Sequence, residues 1–265
     1  MTRVLRPLPF VLVSSGHGTM IVNRNDYRMV DEKRGYGVGH QIFETSWFDP
    51  QEVQLALDML TLRRQVFGDG VVAIDGGANI GVHTIEWARH MHGWGQVIAV
   101  EAQERVFYAL AGNVAINNCF NATVLHAALG AEAGSITIPR PDYLKPASFG
   151  SLELRQSTRN EFIGQAIDYS PAGGQAVKMI TVDGLGLSRL DFLKLDIEGM
   201  ELEGLAGALQ SIEAHKPMML VETIKTDVAA LKQLLEKYGY QQHQVGINLL
   251  AIHRSDPCLS RMKFS

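Results

Sequence analysis

The chain has little cysteine, with Cys119 and Cys258 the only two among 265 residues. They lie far apart and form no C-x-x-C pair, which argues against a disulfide framework or a thiol redox motif and leaves reduced, structural thiols. Long apolar runs are also lacking. The stretch at 9–13 is shorter than a signal-peptide core and far shorter than the roughly 20 residues of a membrane helix. No membrane span is therefore expected, and a soluble, cytoplasmic protein is. Neither sign of charge dominates: 24 Lys and Arg stand against 28 Asp and Glu, a net charge of -4. Without a long basic run there is no electrostatic footprint for general nucleic-acid binding, and no nucleic-acid partner is expected. The nine histidines form no H-x₃-H or H-E-x-x-H pattern. No His/Cys spacing supports a transition-metal site, and no metal is expected.

What is present is ordinary for a globular protein that buries a full core: 46% hydrophobic and 20% charged residues. Residues 1–69 lack a βαβ rhythm and read as an N-terminal extension. Residues 19–22 suggest a short strand there. A helix begins at Pro50, with Asp49 as its N-cap and Glu52 at the capping-box position. From 70 to 265 strands and helices alternate. Apolar strands are expected at 71–75, 96–101, 122–129, 135–138, 178–183, 190–196, 217–223 and 247–253. Helical spacing appears between them, notably at 201–212 and 228–238. This order predicts an α/β fold, a Rossmann-like, mostly parallel twisted sheet with helices on both faces. Residues 139–175 break the rhythm with four prolines and four glycines and read as an irregular insertion, with a strand suggested at 151–154. Its Tyr143, Phe149, Phe162, Tyr169, Arg155 and Arg159 suit an acceptor-binding cover, since long irregular segments in compact domains are usually functional or disordered.

The most informative run is D-G-G-A-N-I-G at 75–81, directly after an apolar strand and before an amphipathic helix. Glycine permits a sharp turn and close approach of a ligand, and the helix start offers free amide donors. Glycines at 76, 77 and 81 fit no register of the dinucleotide pattern G-x-G-x-x-G. An acid opens the turn instead, which suits a cationic amino group better than a pyrophosphate. This is the pattern of S-adenosylmethionine sites. Glu101, at the end of the second strand and 20 residues past Gly81, stands where Rossmann-like sites place a carboxylate on ribose hydroxyls.

A second run, L-K-L-D-I-E-G at 193–199, closes another strand. It puts Asp196 and Glu198 at the carboxyl edge of the sheet, where ligands bind in open α/β folds. Carboxylates at such a cleft are candidates for general-base work. Three pieces, IDGGANIGVHT (74–84), VIAVEA (97–102) and ITVDGL (180–185) joined to DFLKLDIEGMELEGLAGA (191–208), make the chain resemble the FkbM-type methyltransferases, a branch of the class I S-adenosylmethionine enzymes. The resemblance runs over about residues 70–255. The pairing of T-V-D with K-L-D-I-E-G is its most specific part. Ala102 departs from it, standing where a proline is expected.

The resemblance implies methyl transfer from S-adenosylmethionine, mostly to hydroxyl oxygens of sugars, lipids or secondary metabolites. The acceptor is thus a small molecule or glycan. Asp75, Gly77, Asn79 and Gly81, with Gly76 in the same turn, would line the methionine end of the cofactor, and Thr84 would reach its carboxylate. Glu101, beside Ala102, would hold the ribose. His126 and Ala127 would lie at the adenine. Asp196 would stand nearest the methyl group as first choice of base, with Glu198 second and Glu222 an outside candidate. These three acids, if neighbours, would also suit a divalent cation. Methyl transfer to nitrogen stays open, although the N-P-P-Y type of motif is absent at the Asp196 strand. A non-catalytic S-adenosylmethionine-binding module stays open as well. The N-terminal segment either packs over the core or forms a homodimer contact, and the sequence does not choose.

Overall fold

A computed structural model describes residues 6–32 and 34–262. The chain divides into two compact units, Met1–Asp49 with Thr137–Gln175, and Pro50–Ile136 with Ala176–Ser265.

In the first unit, β1 (Phe10–Ser15) and β2 (Gly18–Asn23) form an antiparallel hairpin. The apolar run at 9–13 is thus largely strand, with Leu12 exposed while Met20 and Val22 of its partner are buried. Two short strands, β3 (Arg28–Met29) and β4 (Gly35–Tyr36), pair before α1 (Val38–Thr45). The strand suggested at 151–154 does not form. A single 3₁₀ turn, Phe149–Ser151, stands at its start, and the segment instead closes a small core of Ala147, Phe149, Leu152 and Ile163 against Tyr143. The local polar groups are taken up by side chains rather than by a ladder. Asp26 Oδ1 accepts from the Phe149 amide (3.0 Å), and Ser148 and Ser151 bond through their hydroxyls (2.9 Å).

The second unit opens with α2 (Pro50–Phe67). There follow β5 (Val71–Gly76), α3 (Val82–His90), β6 (Gly95–Glu101), α4 (Glu104–Ile116), β7 (Ala122–His126), β8 (Ala128–Leu129), β9 (Gly134–Pro139), β10 (Gly174–Ile180), β11 (Phe192–Leu195), α5 (Glu201–Ala206), α6 (Leu209–His215), β12 (Met218–Glu222), α7 (Val228–Lys237), β13 (Tyr240–Val245) and β14 (Asn248–His253). Seven strands make the main sheet in the order β13-β14-β12-β11-β5-β6-β7. The five from β7 to β12 are parallel, and β14 and β13 add an antiparallel edge. Every residue of β5, β11 and β12 is buried, as expected of parallel strands covered on both faces.

Two expectations need correction. The apolar run 122–129 is not one strand, since β8 leaves the main sheet and pairs with β10. The helix expected over 201–212 is broken at Gly207 into α5 and α6. The sheet also has an edge strand, β13, that the sequence did not announce, because Gln241, Gln242 and Gln244 give it a polar composition suited to an edge. From β5 the chain moves outward through β6 to β7 and then returns to β11 on the other side of β5. The strand order therefore reverses between β5 and β11, the point at which open α/β sheets bind ligands. Among the described residues no helix is long and apolar enough to cross a membrane.

Candidate cofactor site and acidic cluster

The register of the parallel strands gathers the motif residues at one edge. Asp75 stands opposite Lys194 on one side and Ala99 on the other, and Glu101 opposite His126. The turn after β5 is held by the Gly77 and Ala78 amides, which both donate to the Val100 carbonyl (3.0 Å). Three of its residues have left-handed backbone: Gly77 (φ 77°), Asn79 (φ 52°) and Gly81 (φ 92°). A Cβ at Gly77 would lie 1.8 Å from the Asp196 carbonyl oxygen, so only glycine fits there. The motif of one strand end thus packs directly on that of the other.

Asp75 is buried. Its Oδ2 accepts a 2.6 Å bond from the Thr84 hydroxyl, while its Oδ1 is buried with no hydrogen-bond partner. Thr84 is itself fully buried, so its hydroxyl orients Asp75. A buried acceptor without a donor beside a glycine turn fits a small cationic amino group. Asn79 donates its amide to Glu101 Oε2 (3.0 Å) and accepts at Oδ1 from the Ile80 amide (2.7 Å). Glu101 Oε1 accepts from the Gln103 amide (2.7 Å). Burial pushes the Glu101 carboxyl up to about 7, against the opposing pull of the backbone bonds from Gln103 and Asn79. His126 stacks on Phe107 (centroids 5.0 Å apart) and meets the Ala102 carbonyl through Nε2 at 3.1 Å. Ala102 and Ala127 are buried.

Beside this turn lies a charged cluster. Lys194 is only 3% accessible and donates to Asp196 Oδ2 at 2.8 Å. Burial disfavours its charge, but the carboxylates of Asp196, Glu52 and Asp75 outweigh this and hold its pKa above the usual lysine value. Glu52 does not turn back to cap its helix. Its Oε1 lies 3.1 Å from His83 Nε2, and its Oε2 accepts from Asn248 Nδ2 at 2.6 Å. Burial alone would raise Glu52, yet His83, Lys194 and Asn248 together bring it down to about 2.

Glu198 has left-handed backbone (φ 56°) and accepts a 2.5 Å bond from Lys225. Burial first, and Asp196 second, push its pKa well up. Glu201 is fully buried, accepting at Oε1 from the Ile197 (3.0 Å) and Gly199 (3.2 Å) amides. Glu222, at the end of β12, is 6% accessible, and its Oε2 is buried without a partner. Burial, then Asp196 and Glu201, push it up to about 8. Asp196, Glu198 and Glu222 each bring a carboxylate oxygen within 4.8 Å of the others. Sequence reasoning singled out these three but missed Glu52, His83, Lys194, Glu201 and Lys225. A usable signal existed for Lys194, a lysine between two leucines of an apolar strand, where burial requires anionic partners.

In the insertion, Phe149 is core, whereas Phe162 is exposed under the Arg28 guanidinium, 5.5 Å from the ring centroid. Arg28 and the Tyr36 hydroxyl both bond Glu161. Tyr169 donates to the Glu153 carbonyl at 3.1 Å.

Residues 75–241 match the Methyltransferase FkbM domain. Among solved structures the chain is similar to the methyltransferase FkbM from Methylobacillus flagellatus KT, with a TM-score of 0.50 and 19% identity over 70% of this chain and 44% of that one. It therefore spans less than half the length of that protein. It is also similar to precorrin-6y C5,15-methyltransferase from Geobacter metallireducens GS-15, with a TM-score of 0.42 and 15% identity over 77% of this chain and 88% of that one. A third is magnesium protoporphyrin IX methyltransferase (ChlM) from Synechocystis PCC 6803 with bound SAM, with a TM-score of 0.44 and 11% identity over 77% and 78%. At 19% identity the likeness to the Methylobacillus protein concerns the fold alone. No curated protein matches this chain. On the domain match, the chain belongs to the FkbM methyltransferase family, whose Rossmann-like members use S-adenosylmethionine as cofactor.

Proposed function

We propose that this protein transfers a methyl group from S-adenosylmethionine to a hydroxyl oxygen of a small molecule or glycan. The observation that carries the reading is the buried, unpartnered Asp75 Oδ1 at the mouth of a turn closed to any side chain at Gly77. Asp75 receives the cofactor's amino group there, with Gly76, Gly77, Asn79 and Gly81 forming the wall and Thr84 fixing the Asp75 carboxylate. Glu101 accepts from the ribose hydroxyls, and Ala102, His126 and Ala127 flank the adenine. Bound in this way, S-adenosylmethionine supplies a methyl group already activated on a sulfonium.

The protein's own task is then alignment and proton removal. Alignment of two partners can be worth effective molarities of roughly 10⁵ M or more. Asp196 is the residue we assign to the proton of the attacking hydroxyl, with Glu198 as the alternative acceptor. Lys194, bonded to Asp196 Oδ2 at 2.8 Å, orients that carboxylate. The absence of an N-P-P-Y motif at this strand, which reads L-D-I-E, favours oxygen over nitrogen.

The first test is calorimetric titration with S-adenosylhomocysteine. Micromolar binding is expected, weakened tenfold or more (about 1.4 kcal/mol) in both Asp75→Ala and Glu101→Ala. A folded wild-type protein with no binding would overturn the reading. Transfer of labelled methyl to a panel of glycans and hydroxylated metabolites, with the methylated atom located by mass spectrometry, then identifies the acceptor.

A further inference from the structure

Asp196, Glu198 and Glu222 are spread over 27 residues of sequence and meet only because β11 and β12 are neighbours in register, Leu195 beside Val221. The last residues of these strands and the turn after β11 then face one point. One oxygen from each lies within 4.8 Å of the others. Opposed ligands of a single cation stand about 4.2 Å apart around Mg²⁺ and up to about 5 Å apart around Ca²⁺, so a separation of at most 4.8 Å among the three oxygens admits one hard divalent cation.

Spacing alone would not distinguish a site from a patch of acid. The second observation is Glu222. It is 6% accessible, and its Oε2 is fully buried and receives no hydrogen bond. A buried polar atom without a partner is costly in a native interior, and this one belongs to the carboxyl group that meets Asp196 and Glu198. The lysines do not fill this role. Lys194 engages Asp196 through Oδ2, and Lys225 engages Glu198 through Oε2. Lys194 is also shared with Glu52 and Asp75, and Glu201 adds a further buried carboxylate to the field of Glu222. Carboxyl groups therefore outnumber ammonium groups at this point.

We propose that Asp196, Glu198 and Glu222 form a binding site for one hard divalent cation of the Mg²⁺, Mn²⁺ and Ca²⁺ class. All three donors are carboxylate oxygens, with no imidazole or thiolate among them, which is the donor set such ions prefer. Three protein ligands leave positions for water or for an acceptor oxygen. The ion's use, to hold the acceptor oxygen beside the cofactor turn, rests on the methyl-transfer reading, whereas the binding itself does not. The expectation of a metal-free protein rested on His/Cys spacing, which hard cations do not require.

Mn²⁺ is the probe, measured by calorimetry and by loss of the free-ion paramagnetic resonance signal, on the full chain without cofactor. One Mn²⁺ per chain is expected, displaced by excess Mg²⁺ and bound at least tenfold more weakly by Glu222→Gln. S-adenosylhomocysteine affinity of that variant should stay within threefold of wild type, which verifies its fold and separates the ion site from the cofactor site. Glu198→Gln, at a carboxylate that is partly accessible, serves as the second variant and should weaken Mn²⁺ likewise. Mn²⁺ binding by a chain that fails to bind S-adenosylhomocysteine would support the ion site while removing the cofactor reading. No Mn²⁺ binding up to millimolar concentration by a chain that binds S-adenosylhomocysteine would overturn the ion site, as would equal affinity in wild type and both folded variants.

Discussion

The Glu101 carboxyl is pushed up to about 7 by burial, while the same carboxylate is the group proposed to accept the ribose hydroxyls. Only its ionised form offers acceptors to the Asn79 and Gln103 amides and to two further donors. S-adenosylhomocysteine should therefore bind best above about pH 7 and weaken by up to roughly tenfold per pH unit below it. Calorimetry from pH 5.5 to 8.5 checks this, and Glu101→Gln should bind weakly with a much flatter profile. The same shift has a defined effect on stability. Its folded-state value of about 7 lies above the ordinary value of 4.5, so the protonated form is favoured in the folded chain. That contribution is present below about pH 4.5 and is lost as pH rises through 7, at up to about 1.4 kcal/mol per pH unit. Glu52 works in the opposite direction. Brought down to about 2, it contributes stability above about pH 4.5 that is lost as pH falls toward 2.

At the scale of elements, the turn between β5 and α3 and the end of β11 form one packed unit. The Gly77 backbone at φ 77° approaches the Asp196 carbonyl so closely that an added Cβ would stand 1.8 Å from it. Neither atom belongs to a flexible side chain, so the clash moves the main chain. Gly77→Ala should destabilise the protein by about 2 kcal/mol or more, combining left-handed backbone strain with that displacement. It should also weaken S-adenosylhomocysteine binding by more than tenfold, whereas Gly93→Ala, which also has positive φ (80°) but open space around it, should leave binding unchanged. Urea unfolding and calorimetry on the two variants provide the comparison.

At the scale of the molecule, the first compact unit joins residues far apart in sequence. Asp26 is buried and accepts from the Gly39 amide (2.9 Å) and the Phe149 amide (3.0 Å), one with each oxygen. It thus links the segment before α1 to the insertion. Burial pushes its carboxyl up to about 6, against the pull of those two bonds. Asp26→Ala leaves two buried amides unsatisfied and should cost about 2–4 kcal/mol. Hydrogen exchange should show the loss of protection first at Gly39 and Phe149, and a uniform loss across β5, β6 and β11 instead would contradict a role confined to this unit.

The parallel sheet was legible from the sequence because its strands are short apolar runs bounded by turn residues, and that local pattern suffices for buried strands such as β5 and β12. The glycine turn was legible for a related reason: its backbone demands glycine at 77, and Asp75 directly precedes the turn. Residues whose importance depends on a distant partner were not legible. Glu52 carries a helix-start pattern in sequence but in the fold turns to His83 and Asn248. Lys194 looks misplaced in a strand until the register sets it beside Asp75. The α/β alternation, the cofactor-type turn and the acids at the strand ends are written locally, because each follows from backbone conformation or hydrophobic period within a few residues. Which charges neutralise one another, and that Glu222 meets Asp196 and Glu198, followed from the folded arrangement of the strands. Side-chain electrostatics acts through space between strands that the chain visits in a different order.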